Sequence, residues 1–205
     1  MSASTSNVSG TPERASRQGR RRARITLLLI FAVSVAPFVA AYLAYEFWQP
    51  SGRVNHGELI EPHRLPSGPL AQLDGRKFRL DDLRGKWVMI HAGSGRCGES
   101  CRKQLYYMRQ VRLAQGKDRD RVERVWLITD AAPPPTELAT LYEGARLVRA
   151  AGAPLVAALP ADRDASDHVY LVDPLGNLML RFPRDPDPAR MIKDLRRLLK
   201  LSRIG

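Results

Sequence analysis

An almost unbroken apolar run over residues 25–48 constrains this chain most, because a helix formed by this run would expose apolar side chains to water on every side. Its one charged residue, Glu46, lies close to its end. As a helix, a run of this length spans about 36 Å at ~1.5 Å per residue, which exceeds the ~30 Å hydrocarbon core of a bilayer. Pro37 is compatible with this, since transmembrane helices tolerate proline. We therefore predict a single transmembrane helix over residues 25–48.

Arginines just before the apolar run predict its orientation. They fill positions 20–22 and 24, and cationic flanks remain on the cytoplasmic side. The N-terminus is then cytoplasmic and residues 49–205 lie across the membrane, which in a bacterium means an inner-membrane anchor and a periplasmic domain. A cleaved signal peptide is the main alternative, although its apolar core normally has only about 7–15 residues. A mitochondrial targeting segment is a further alternative.

Charge and composition divide the rest of the chain. The net charge is +12, of which residues 1–24 supply +5. We expect these residues to be a disordered basic tail lying on anionic membrane lipid. Residues 49–69 are rich in Pro and Gly and are predicted to be a linker, which leaves residues 70–205 as one domain. A basic domain outside the cytoplasm suggests lipid headgroups or an acidic protein as its neighbour, and its location excludes nucleic acid.

The only two cysteines lie in the segment Cys97-Gly-Glu-Ser-Cys101. An apolar run and a Gly-rich turn precede this segment, and a sequence of helical character follows it. This order predicts a strand, a turn and a helix, with Cys97 at or near the helix N-terminus. Free backbone N–H groups and the helix dipole favour a thiolate there. The i, i+4 spacing places both sulfurs on one face of the first turn, where they can close a disulfide or bind Cu(I).

Hydrophobic patterns predict an α/β domain, because buried strands alternate with helices before a hairpin closes the sheet. Asp74-Gly75 and residues 173–176 mark the turns of two hairpins. The predicted elements are a hairpin at 70–80, strands at 86–92 and 124–129, helices near 101–115 and 136–150, a second hairpin at 168–182 and a C-terminal helix from Asp187.

Several of these segments together resemble the thioredoxin-like redoxins. They are residues 73–75, residues 83–88, Cys97 and residues 170–176. Within that group the chain is most similar to the Sco family, which are membrane-anchored proteins of cytochrome c oxidase assembly. The shared features are a single N-terminal anchor, a CxxxC pair and a histidine just before the final hairpin.

The resemblance covers about residues 70–200 and implies a thioredoxin-like domain behind a single transmembrane helix. It also implies an activity and a partner. The activity is delivery of Cu(I) to the dinuclear copper centre of the oxidase, or reduction of the cysteines there. The partner is a respiratory oxidase subunit or one of its assembly factors.

The resemblance further assigns roles to individual residues. For copper, Cys97, Cys101 and His168 are the implied ligands, whereas the alternative for His168 is a strand-edge histidine bonded to Asp167 or to backbone. For catalysis, Cys97 attacks a partner disulfide and Cys101 resolves the mixed disulfide. His91 lies where thioredoxins carry a buried acid, so it is a candidate proton carrier or metal ligand, or else a core histidine.

Three functions therefore remain open. The prediction is a Sco-like factor of cytochrome c oxidase assembly that binds and delivers Cu(I). The alternatives are a periplasmic thiol–disulfide oxidoreductase and a membrane-tethered interaction module without catalysis. A purely structural role for the cysteine pair is less favoured, since closing so short a loop restricts the unfolded chain little. The neighbouring cations Arg96, Arg102 and Lys103 favour thiolates by their charge and offer a docking surface for an acidic partner.

Overall fold

A computed structural model describes residues 13–47, 55–202 and 204. The chain divides into two units, Met1–Arg53 and Val54–Gly205. Trp48, the last residue of the predicted span, lies outside the described residues, as do residues 1–12 of the predicted tail.

The N-terminal unit contains one long helix, α1 (Glu13–Phe47), with Pro37 inside it. The stretch Arg21–Glu46 is long and apolar enough to cross a membrane. The prediction of disorder over residues 1–24 is wrong for 13–24, which belong to α1. Extending an existing helix adds one hydrogen bond for each residue fixed, and this segment is rich in the helix formers Arg and Ala.

The second unit is built on one eight-stranded mixed sheet. Its strands are β1 (Glu58–Arg64), β2 (Leu70–Gln72), β3 (Lys77–Phe78), β4 (Trp87–Gly93), β5 (Val122–Ile128), β6 (Arg146–Arg149), β7 (Val169–Val172) and β8 (Asn177–Phe182). Their order in the sheet is β1-β8-β7-β4-β5-β6-β2-β3. Strands β4, β5 and β6 are parallel neighbours, and every other pairing is antiparallel. The helices are α2 (Glu99–Leu113), α3 (Ala139–Tyr142), α4 (Pro154–Ala157) and α5 (Pro188–Leu201).

The central strand β4 is buried along its whole length, and its side chains divide between two apolar clusters. Trp87 and Met89 face α2 and α5, on the side of the sheet called here the helix face. Val88 and Ile90 belong to the cluster on the opposite face, which α4 helps to cover. Both faces are apolar because a strand between two covered faces has no solvent-exposed side.

Part of the predicted linker is a strand. Residues 58–64 form the edge strand β1, which pairs antiparallel with β8. Its start is fixed by a buried carboxylate, because Asp194 of α5 accepts the backbone N–H groups of His56 at 2.7 Å and Gly57 at 3.0 Å. The alternation that identifies a strand is weak here, since five of the seven residues of β1 are exposed and the other two are only partly buried.

The helix predicted near residues 136–150 is also mostly wrong. Only α3 and a preceding 3-10 turn are helical, and residues 146–149 form β6. Gly144 adopts a left-handed conformation with φ of 70° just after α3. The following Leu147 and Val148 pair in parallel with Trp126 and Leu127 of β5, so sheet formation outweighs helix propensity.

The remaining elements are confirmed. Gly75 has a positive φ of 83° in the first hairpin turn, and Gly176 has one of 92° in the second. Asp187 caps α5 by accepting the backbone N–H groups of Ala189 and Arg190. The α/β fold class predicted from the sequence is therefore correct.

Candidate functional site

Cys97 and Cys101 form a disulfide at the start of α2, with their Cα atoms 5.1 Å apart. Gly98 is the N-cap of α2, so Cys97 is the residue before this cap and Cys101 is the third residue of the helix. Cys97 adopts a left-handed backbone with φ of 47°, which costs an L-residue roughly 1–2 kcal/mol. The cysteines are near the helix N-terminus as predicted, but they do not share one helical face, because the chain turns at Cys97.

The two cysteines differ in exposure. Cys97 is 0% exposed and belongs to the cluster on the helix face. Cys101 is half-buried, and Gly98, Glu99 and Ser100 before it are exposed. Arg102 donates from Nε to the backbone oxygen of Cys97 at 3.1 Å. Of the two cysteines, only Cys101 is therefore open to a partner in this structure.

Asp130 holds the turn that leads to the cysteines. It follows β5, and its carboxylate accepts the Ser94 hydroxyl at 2.5 Å and the backbone N–H groups of Gly95 at 2.9 Å and Ala132 at 3.1 Å. These hydrogen bonds, that of Ser94 above all, lower the pKa of Asp130. Because β4 and β5 are adjacent and parallel, the residues that follow them meet at one edge of the sheet.

Sequence reasoning missed Asp130. A signal was present, since a carboxylate placed two residues after the strand beside β4 is available to bind the cysteine turn.

Gly95 is required by the close approach of these two loops. A Cβ atom at this position would lie 1.8 Å from the backbone oxygen of Ala132. Cys97 then closes the turn by donating its backbone N–H to the oxygen of Ser94 at 3.1 Å. The Gly-rich approach to Cys97 is thus a packed turn rather than a flexible one.

His91 lies on β4 and is fully buried. Its parity along the strand places it on the helix face with Trp87 and Met89. Nδ1 donates to the backbone oxygen of His168 at 3.4 Å. Burial lowers the pKa of His91 to about 4, although the backbone oxygen of His168, the nearby Gln104 amide and the charge of Asp164 act in the opposite direction.

The imidazole of His91 is therefore neutral at physiological pH. Among the described residues, its Nε2 and Oε1 of Gln104 are both buried without a hydrogen-bond partner. Gln104 donates from Nε2 to the backbone oxygen of Ser166 at 3.1 Å. Sequence reasoning missed this amide because nothing in the helical pattern distinguishes a buried Gln from a solvated one.

His168 is buried at the start of β7 and is not brought to the cysteines. It donates from Nδ1 to the backbone oxygen of Phe182 at 2.8 Å, as the alternative reading of this histidine expects. Its ring lies 6.0 Å from that of Tyr170, whose side chain belongs to the cluster on the opposite face. Within the described ranges, no group of three or more His, Cys, Asp or Glu side chains is arranged to hold a metal ion.

Comparison with family models identifies both parts of the chain. Residues 87–202 match the model described as the transmembrane-like, thioredoxin-like C-terminal domain, and residues 17–47 match the transmembrane-like N-terminal domain. The chain belongs to the transmembrane-like, thioredoxin-like family. Membership agrees with the predicted fold class and with a single N-terminal membrane anchor. No curated protein matches this member of the transmembrane-like, thioredoxin-like family.

Solved structures similar to this family member include Sco proteins and an oxidoreductase. Copper-bound ScoI of Bradyrhizobium japonicum has 20% identity and a TM-score of 0.52, over 66% of this chain and 99% of that one. Copper-bound yeast Sco1 has 18% identity and a TM-score of 0.57, over 70% and 96%. The thioredoxin domain of a thiol-disulfide oxidoreductase from Bacteroides vulgatus has 20% identity and a TM-score of 0.51, over 69% and 99%.

These similarities show a thioredoxin-like fold. At such low identities they match the predicted Sco resemblance at the level of the fold, and they do not carry an activity over to this chain.

Proposed function

We propose that this protein is a membrane-anchored thiol–disulfide exchange protein, which passes two electrons between its CxxxC pair and the cysteines of a partner protein. The observation that carries the proposal is the disulfide at the N-terminus of α2, with one buried and one half-buried cysteine. One cysteine is accessible to attack by an external thiolate. The other is shielded from external thiols, so its own thiolate remains available to re-form the disulfide.

Exchange from the oxidised form needs only a partner dithiol. One partner thiolate attacks a sulfur of the pair, the S–S bond breaks, and the released sulfur of the pair takes up a proton. The second partner thiolate then attacks the partner's sulfur in the mixed disulfide. This step releases the other cysteine of this chain, which also takes up a proton. The partner ends as a disulfide and this chain as a dithiol, and the reverse reaction follows the same path.

His91 is the candidate proton carrier for this exchange. It is neutral, and it lies on the sheet face against which Cys97 packs. A neutral imidazole both accepts and donates a proton. Cys97 has no exposed area, so bulk water does not reach its sulfur to supply that proton.

The anchor sets the compartment in this proposal. The arginines before the span keep the N-terminus in the cytoplasm, so the thioredoxin-like domain operates on the other side, in the bacterial periplasm. Disulfides persist in that oxidising compartment. The tail and the anchor contact membrane lipid.

Copper handling is the second candidate. When the pair is reduced, Cys97 and Cys101 present two thiolates from positions whose Cα atoms are 5.1 Å apart in the oxidised form, and soft thiolates select Cu(I). Two structures of this fold, ScoI and yeast Sco1, carry copper. Because the imidazole of His168 bonds to the backbone oxygen of Phe182, the proposed ligands are the two sulfurs alone. This candidate would carry Cu(I) as cargo for a respiratory oxidase subunit or its assembly factors.

The exchange proposal is tested with the full chain in detergent micelles. The oxidised protein is mixed with reduced glutathione, and free thiols are counted by alkylation and mass spectrometry. We expect the pair to open and to close again in oxidised glutathione, whereas the Cys97→Ser, Cys101→Ser double variant shows no such change. A pair that stays closed contradicts the proposal and leaves a non-catalytic interaction module as the alternative.

The copper candidate is tested with a Cu(I) competition titration of the reduced chain beside its His168→Ala variant. One-to-one binding that the variant retains supports the two-sulfur carrier. Binding that His168→Ala weakens would show instead that the histidine moves to the sulfurs on reduction.

A further inference from the structure

The surface around the disulfide is asymmetric. Cys97 has no exposed area, and its backbone oxygen accepts the guanidinium of Arg102. The buried Leu105 and Met108 of α2 belong to the same apolar cluster as Cys97. A partner thiolate would therefore have to displace packed side chains in order to reach the sulfur of Cys97.

Cys101 occupies a different environment. It is half-buried in the first turn of α2, beside the exposed Glu99, Ser100 and Arg102. The N-terminal turn of a helix favours a thiolate, because its free N–H groups and the helix dipole place positive charge there. Both cysteines lie close to this N-terminus, so their exposure is what distinguishes them.

The packing of the two cysteines strengthens the asymmetry. A thiolate must reach the disulfide sulfur that it attacks. Cys97 belongs to the apolar cluster and has no exposed area, whereas Cys101 packs against that cluster with part of its surface exposed.

We infer that Cys101 is the sulfur that bonds to the partner and that Cys97 is the buried resolving cysteine. This order is the reverse of the one predicted from the sequence, and it rests on the exchange function proposed above. The partner thiolate bonds to Sγ of Cys101, the bond to Sγ of Cys97 breaks, and the Cys97 thiolate takes a proton. In the opposite direction Cys97 loses that proton and attacks Sγ of Cys101, which expels the partner thiolate.

Single-cysteine variants of the full chain in detergent micelles test this assignment. Each reduced variant is mixed with 5,5′-dithiobis(2-nitrobenzoic acid), and the release of coloured thiolate is followed. The Cys97→Ser variant, which keeps Cys101, should react at least about tenfold faster than Cys101→Ser, because access and thiolate character both set the rate. In guanidinium chloride the two rates should converge, which ties the difference to the fold.

Native labelling of the unmutated protein keeps the test independent of either variant's folding. The reduced chain is treated with a limiting amount of iodoacetamide, and the labelled cysteine is identified by peptide mass spectrometry. Predominant label on Cys101 supports the assignment. Equal label on both cysteines, or predominant label on Cys97, overturns it.

The assignment and the exchange function fail in different ways. A pair that opens in glutathione but is labelled first at Cys97 leaves the exchange function standing and refutes the order. A pair that does not open in glutathione refutes the function, whatever the labelling of the chemically reduced chain.

Discussion

Substituting Gly95 by alanine tests whether the cysteine turn is packed as closely as the structure shows. The added Cβ would lie 1.8 Å from the oxygen of Ala132, whereas ordinary contact begins at 3.4 Å, so the two loops must separate by about 1.6 Å. The obstacle is a backbone atom, which cannot rotate away. We therefore expect Gly95→Ala to cost about 2–3 kcal/mol, in the upper part of the range for overpacking.

Gly98→Ala is the matched control, because Gly98 lies on the other side of Cys97 in the same loop. Its added Cβ meets nothing within 4 Å, and its φ of −63° suits any residue. Alanine is a poorer N-cap than glycine, so the expected loss stays below about 1 kcal/mol.

Urea unfolding of the full chain in detergent micelles, followed by tryptophan fluorescence, measures both losses. Trp87 and Trp126 are buried and report on the thioredoxin-like domain. With a urea dependence of about 2 kcal/mol per molar, Gly95→Ala should lower the midpoint by roughly 1 M and Gly98→Ala by less than about 0.5 M. Equal midpoints for the two variants would refute the close approach of the turn and Ala132.

Three further predictions concern the buried polar groups. Burial lowers the pKa of His91 from 6.5 to about 4, so between these pH values the native state binds fewer protons than the unfolded state. The free energy of unfolding should therefore fall as the pH drops through this window, by about 2 kcal/mol from pH 7 to pH 5. His91→Gln should flatten that slope in urea unfolding at the two pH values, and an unchanged slope would show that His91 is not its cause. Asp194→Ala leaves the backbone N–H groups of residues 56 and 57 without their acceptor, so it should lower the free energy of unfolding by about 2–4 kcal/mol and speed hydrogen exchange in β1. The surface variant Asp185→Ala, as a control, should change the free energy of unfolding by no more than about 0.5 kcal/mol. Equal losses in the two variants would contradict the anchoring of β1 by Asp194. His168→Ala should leave the Cu(I) affinity of the reduced chain within about twofold, because the imidazole bonds to the backbone oxygen of Phe182. A tenfold loss, worth about 1.4 kcal/mol, would show that the imidazole leaves this bond and reaches the sulfurs in the reduced chain.

The parts of the fold that were predictable have strong local signals. Strand β4 has a continuous apolar run, the first hairpin has an Asp-Gly turn, and α5 begins with a capping Asp187 followed by proline. Strand β1 and strand β6 were missed because their signals are not local. Asp194 of α5 holds the start of β1, and β6 exists because β5 offers it a parallel partner.

The position of the candidate site was predictable, whereas its geometry was not. The CxxxC spacing and the following helix were enough to predict a cysteine pair near a helix N-terminus. The left-handed backbone of Cys97 could not be read from the sequence, because it depends on the packed turn beside Asp130. The face of His168 depends on the register between β7 and β8, which a single sequence does not fix.

Redox equilibrium of the cysteine pair tests the central claim most directly. The full chain in detergent micelles is equilibrated in glutathione and dithiothreitol buffers of graded potential, and the reduced fraction is read by alkylation and mass spectrometry. We predict a reversible two-electron transition above about −300 mV, because exchange-active pairs lie above the range of structural disulfides. A pair that remains oxidised until the potential falls well below that value would contradict the account and would make Cys97–Cys101 a structural crosslink.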